Sequence, residues 1–99
     1  MFNIIFEQEY AAATRLITRI RREAHLSQRA MAMALQRSQG HIHRMETRQR
    51  PIELVEFCRI ARASGADPAE VLRRLLEDWT QEGCDYLARR PEPEIAAAE

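Results

Sequence analysis

An all-α fold of five helices is predicted by three features of the sequence. Apolar residues recur at three- and four-residue steps, capping residues stand ahead of several of these stretches, and nothing alternates apolar with polar residues as a half-buried strand does. With 99 residues, 45% of them hydrophobic and 30% charged, the chain suits one modest core and leaves no room for a separate catalytic or sensing domain.

The first helix is expected over Glu7 to Ala24, where Tyr10, Ala13, Leu16, Ile17, Ile20 and Ala24 form an apolar stripe and Arg15, Arg19 and Arg22 fall between them. Ser27 sits where an N-cap belongs, so a second helix runs from Gln28 to about Leu35 with Met31 and Leu35 on one side. After the break "QRS", Ser38 caps a third helix, roughly Gln39 to Thr47, with Ile42 and Met45 inward. "RQRP" then reads as a basic loop, because the residue before Pro51 is biased out of helical geometry.

A fourth helix, about Ile52 to Ser64, draws its buried side from Val55, Phe57, Ile60 and Ala61 and stops at Gly65. "DPAE" is the clearest start: Asp67 as N-cap, Pro68 at the first helical position and Glu70 in the capping-box place. This fifth helix carries Val71, Leu72, Leu75, Leu76 and Trp79 to a stop at Gly83. Residues 1–83 are expected to form one domain and 84–99 an extension, where "CDYLARR" adds a turn or two and the acidic, proline-broken "PEPEIAAAE" is expected to be disordered.

Charge is segregated, although the net charge is zero. Residues 15–50 hold nine Arg against Glu23 and Glu46, a local charge of +7, and both flanks are acidic. All basic side chains are Arg and none is Lys, a pattern that fits genome composition better than selection for bidentate contacts. The short apolar start "MFNIIF" runs into Glu7 and Glu9 and has no positive leader, so it does not read as a signal peptide, and no stretch has the roughly 20 apolar residues that span a bilayer. A cytoplasmic location away from membranes is expected.

An enzyme is not expected. His41 and His43 point about 200° apart around a helix and cannot readily share a metal. A Gly-rich phosphate loop and an apolar-set carboxylate pair are both missing from the sequence. Cys58 and Cys84 lack zinc or redox spacing; Cys58 reads as core and Cys84 as an idle thiol. The sequence therefore calls for no metal and no cofactor.

Two short helices joined by a three-residue turn, with small Ala32 at their crossing, are the minimum of a helix-turn-helix. Through "LSQ", Ala32, Leu35, "SQGHIHRME", "RQRP" and the later "ADPAEVL", the chain resembles the Cro and phage-repressor (XRE-like) helix-turn-helix family over about residues 13 to 76. The resemblance implies a five-helix, lambda-repressor-like DNA-binding domain with an extended C-terminal helix and its motif at 27–47. It also implies a buried structural ion pair between Arg21 and Glu46. Two usual glycines of the family are replaced here by His25 and Gln36, and an apolar turn residue by Arg37. Polar residues tolerate positive φ at a cost of about 1 kcal/mol each, so the fold is expected to survive.

With Ile42 inward and a turn of about 100° per residue, the outer side of the third helix carries Gly40, His43, Arg44 and Thr47, with Gln39 at its leading end. Gln39 and Arg44 are the side chains best suited to read adenine and guanine. Gly40 has no reader, so either specificity is relaxed at that base pair or the backbone approaches it closely. Phosphate contacts are expected from Gln28, Ser38, His41, Arg48 and Arg50.

The function expected is sequence-specific transcriptional regulation, by repression, through a homodimer on a palindromic operator in bacterial or phage DNA. Such a protein would be nucleoid-associated when bound. Leu76, Trp79 and Tyr86, or the apolar "MFNIIF", are the candidate dimer contacts. Three alternatives stand beside it: an antitoxin or restriction-control protein that also binds a partner such as a toxin, a small activator that touches RNA polymerase, and a helical interaction module that has lost DNA.

Overall fold

The computed structural model describes residues 7–85. Five helices follow one another, α1 (Gln8–Glu23), α2 (Gln28–Leu35), α3 (Gln39–Glu46), α4 (Leu54–Ala63) and α5 (Pro68–Glu82), and the described residues include no strand. Residues 1–6 and 86–99, with the expected contacts of "MFNIIF" and Tyr86 and the acidic tail, lie outside the described residues.

Local chemistry sets the helix starts. Ser27 Oγ accepts the Ala30 N–H at 3.0 Å and Ser38 Oγ the His41 N–H at 3.1 Å, each satisfying a first-turn amide that the helix cannot. Asp67 does the same for Ala69 at 3.2 Å, with Pro68 following it. Glu70 does not complete a capping box, because its carboxylate pairs with Arg73 one turn on. The start of α4 comes later than the apolar pattern suggests. The Ile52 N–H is taken by the Tyr10 hydroxyl, and Glu53 becomes the cap, its carboxylate accepting the Val55 N–H at 2.7 Å.

All five helices end in the same way. A residue in the left-handed region follows the helix, and the next N–H reaches back five residues, as in Leu26 to Arg21 at 3.1 Å and Arg37 to Ala32 at 2.9 Å. Gly65 and Gly83 fill this place without strain, but His25, Gln36 and Arg48 fill it at φ of 60°, 56° and 62°. The Gln36 side chain is exposed and carries no hydrogen bond, so Gln36→Gly is expected to stabilise the domain by about 0.5–1 kcal/mol. A urea titration should show a higher midpoint at unchanged slope; a lower midpoint would mean that the glutamine contributes a contact worth more than the strain.

The core lies where the helices meet. Ala12, Leu16, Ile17 and Ile20 of α1 pack with Met31, Ala32 and Leu35 of α2, Ile42 and Met45 of α3, Ile60 and Ala61 of α4, and Val71 and Leu75 of α5. Ala32 leaves the space in which α2 and α3 cross, and Met45 is wholly buried. Burial departs from the sequence expectation at several positions. On α4, Val55 is exposed and Phe57 half-buried, and the buried residue between them is Glu56. Leu72 and Leu76 of α5 are exposed as well. The cysteines exchange their expected places: Cys58 is half-buried, whereas Cys84 is enclosed, drawn in by the turn at Gly83 through its N–H to the Trp79 carbonyl at 3.0 Å. Burial raises the Tyr10 phenol above its usual range, although the Ile52 N–H bond works against this.

Candidate nucleic-acid interface

Inward Ile42 and Met45 fix the roll of α3. They leave His43 and Arg44 exposed on its outer side, Gln39 exposed at its leading end and Gly40 half-buried. Gly40 has a role toward its neighbour, because a Cβ placed there would stand 3.1 Å from Arg44 Nη1. The bare backbone is thus what allows the guanidinium, one turn further along, to lie against the helix. Thr47 falls just past the helix end, where its hydroxyl donates to the His43 carbonyl at 2.8 Å and accepts from Gln49 at 2.9 Å. Its polar group is turned toward the protein rather than outward.

The residues expected at phosphates divide into two groups. Ser38 is exposed at the N-terminus of α3, and Arg48 and Arg50 are exposed on the loop behind it, which folds back so that the Arg50 N–H reaches the Arg44 carbonyl at 3.2 Å. Gln28 and His41 are committed elsewhere. Gln28 Nε2 donates to Glu46 at 3.0 Å. His41 is turned inward, with Nε2 2.8 Å from Glu56 Oε2, so its imidazole is held in the interior against a carboxylate, and only its place in the first turn of α3 faces the expected phosphate side. Arg29, absent from the expected set, stands exposed in the first turn of α2.

Two buried carboxylates hold this surface in place. Glu46 receives Arg21 Nε at 2.6 Å and Arg21 Nη2 at 2.9 Å, and Arg21 Nη1 donates to the Leu26 carbonyl at 2.7 Å. Together with Gln28, this joins α1, the turn after it, α2 and the end of α3. The pair is 8% and 7% exposed, so Arg21 is a strut and does not face outward. Glu56, the second carboxylate, lies between His41 and Arg37, whose Nε approaches it at 3.1 Å.

Burial on its own would raise the Glu56 carboxyl, but the hydrogen bonds and charges of His41 and Arg37 outweigh it and hold the group below its ordinary value. A carboxyl lowered on folding contributes stability that is present above its unfolded value, about 4.3, and is lost as pH falls through the lower folded value. Urea midpoints measured from pH 7 downward should therefore fall below about pH 4.5 more steeply in the parent than in Glu56→Gln. Parallel declines would mean that the carboxylate is not held as its partners imply.

The remaining charge is open to solvent. Glu46 is neutralised by Arg21, and among the described residues Arg44, Arg48 and Arg50 have no ion-pair partner. A helix with polar hydrogen-bonding side chains outward, backed by a basic loop, is shaped to enter a major groove.

A family profile described as "Helix-turn-helix domain" matches residues 12–75, well over half of the chain and the whole of α2 and α3. The chain belongs to the XRE-like helix-turn-helix family. An XRE-family like protein from Pseudomonas syringae pv. tomato str. DC3000 is similar to it in structure, at 29% identity and a TM-score of 0.66, over 70% of this chain and 84% of that one. The clp gene regulator ClgR from Corynebacterium glutamicum shares the fold at 23% identity and a TM-score of 0.65, over 79% of this chain and 84% of the regulator. No curated protein matches the sequence at a significant level.

The XRE-like fold is that of a DNA-binding transcription regulator, a class that is in general non-enzymatic. Within it, α2 and α3 form the helix-turn-helix. Among the described residues no group of His, Cys, Asp and Glu is placed to hold a metal, and no helix is long and apolar enough to cross a membrane.

Proposed function

We propose that this XRE-like protein is a sequence-specific transcriptional repressor that acts in the cytoplasm, binding a palindromic operator as a homodimer with α3 of each copy in the major groove. The observation that carries the reading is the outer side of α3, where His43 and Arg44 are exposed away from buried Ile42 and Met45, with Gln39 exposed at the leading end of the helix. In this reading Gln39 and Arg44 read bases bidentately and His43 assists, while Gly40 and Thr47 mark the same face without supplying a side-chain contact. Ser38, Arg48 and Arg50 hold phosphates and set the register.

A dimer requires apolar surface, and α5 offers Leu72 and Leu76, 47% and 45% exposed. Trp79 leans inward, its indole donating to the Glu9 carbonyl at 3.0 Å, so of the expected contacts on α5 Leu76 is the better candidate. We place the DNA-binding unit within residues 1–83 and treat 84–99 as its extension.

A second reading, a regulator that also binds a protein such as a toxin or RNA polymerase, is favoured by the open apolar groove of about 410 Å3 between α1, α4 and α5, lined by Tyr10, Ile52, Leu54, Phe57 and Leu72. The test is selection of bound sequences from random duplex DNA, followed by affinity for the winner at several salt concentrations. A palindromic winner with half-sites about 10 base pairs apart and a steep loss of affinity with salt is expected. Weak binding without a preferred sequence would overturn the reading in favour of an interaction module.

A further inference from the structure

Glu56 belongs to α4, outside the helix-turn-helix, yet both of its partners lie inside it. Arg37 is in the turn between α2 and α3, and His41 is in the first turn of α3. One carboxylate, itself 6% exposed, therefore grips the turn and the leading end of α3 together. The trailing end of α3 is gripped by Arg21 through Glu46. The helix is thus held at each end through a buried carboxylate, and these two contacts come from helices on opposite sides of it in the chain, α4 and α1.

The turn gives physical grounds for a need at that place. Gln36 sits at φ 56° with no other restraint on its side chain, and Arg37 offers no apolar group to seat the turn in the core. A turn without apolar anchoring leaves the angle of the following helix to be set by something else. Glu56 supplies that restraint, since its Oε2 meets Arg37 at 3.1 Å and His41 at 2.8 Å at once, and its Oε1 lies 3.1 Å from the same ring nitrogen.

We propose that Glu56 is a positioning residue for DNA reading: through Arg37 and His41 it sets the angle of α3, and hence the direction in which Gln39, His43 and Arg44 project. The inference rests on the reading that α3 enters a groove. Glu56 itself touches no base or phosphate in this account. Its loss is felt as blurred sequence preference more than as weakened attraction to DNA, because its bonds go to Arg37 and His41 and the charges of Arg48 and Arg50 remain on the loop.

The experiment compares Glu56→Gln with Ile60→Val, a core truncation on the same helix that leaves both clamps intact, and with His41→Gln, which removes the ring but keeps Arg37. Each is measured where circular dichroism shows it fully folded. Glu56→Gln is expected to lower the ratio of affinities for the selected and a scrambled duplex by roughly tenfold, with little change in binding to the scrambled one. His41→Gln should give a smaller drop in the same sense, and Ile60→Val none. Retained discrimination in Glu56→Gln, or an equal loss in Ile60→Val, overturns the proposal. Residual dipolar couplings of the α3 amides, measured without DNA, separate this from the broader reading. They should no longer fit the parent orientation relative to α1 in Glu56→Gln, and unchanged couplings would refute the clamp. A parent protein that shows no sequence preference would refute the DNA reading, while the couplings would still decide whether Glu56 orients the helix.

Discussion

Replacing Glu46 by alanine is expected to destabilise the domain by about 3–5 kcal/mol, because it leaves the Arg21 guanidinium buried with only the Leu26 carbonyl as partner. Domains of this size are stable by about 5–15 kcal/mol in total, so the loss takes a large share and should lower the melting temperature by on the order of 20 °C. The effect also has a direction. Glu46 binds Arg21 of α1 and Gln28 of α2, so α3 loses its tie to both at once. Replacing both partners, as Arg21→Met with Glu46→Leu, should recover most of the loss, since an apolar pair leaves no stranded charge. Thermal unfolding followed by circular dichroism decides the matter. A Glu46→Ala protein that melts within a few degrees of the parent would show that Arg21 is not left as a stranded buried charge when its partner is removed.

Arg44→Ala should leave the fold intact and lower affinity for the operator by about 1–3 kcal/mol, roughly 5- to 150-fold, with relaxed preference at one base pair per half-site. The side chain is exposed and has no ion-pair partner among the described residues, so the packing described above does not depend on it. Its guanidinium lies against Gly40, and the bare backbone there sets the start of its reach toward a base. Arg48→Ala provides the contrast. It should weaken binding to all sequences alike and reduce the salt slope by about 1. Competition assays with single-base operator variants distinguish the two. Unchanged affinity and preference in Arg44→Ala would mean that α3 presents another side to the groove.

Helix order and the starts of α2, α3 and α5 were legible because their causes are local. Ser27, Ser38, Asp67 and Pro68 each act on an amide or a dihedral within three residues, so their meaning does not depend on the rest of the chain. The inward sides of α2 and α3 were legible for the same reason, since Met31, Leu35, Ile42 and Met45 follow the helical period. The Arg21–Glu46 pair is not visible in any local pattern and came through the family resemblance alone.

What escaped the sequence is non-local. Glu56 sits between Val55 and Phe57, where periodicity assigns burial to the apolar neighbours, and its own burial follows from partners 15 and 19 residues away. Arg37 in place of an apolar turn residue was the available signal, since a cation in that turn can bring in an acidic partner from a neighbouring helix. Enclosure of Cys84 was readable in principle, because the residue after a left-handed helix cap folds back on the helix, as Leu26 and Ala66 also do against the core. His41 was placed by its position near the start of the helix, which carries no information about the Glu56 of α4 that its ring meets.

The most direct test of the account is to map backbone amide shifts of the isotope-labelled protein as the selected duplex is added. The largest changes are expected at Gln39, Gly40, His43 and Arg44, with further changes at Ser38, Arg48 and Arg50, while buried His41 and the exposed side of α5 at Leu72 respond weakly. Changes centred on the groove of Tyr10, Leu54 and Leu72, with α3 unmoved, would contradict α3 as the surface that reads DNA.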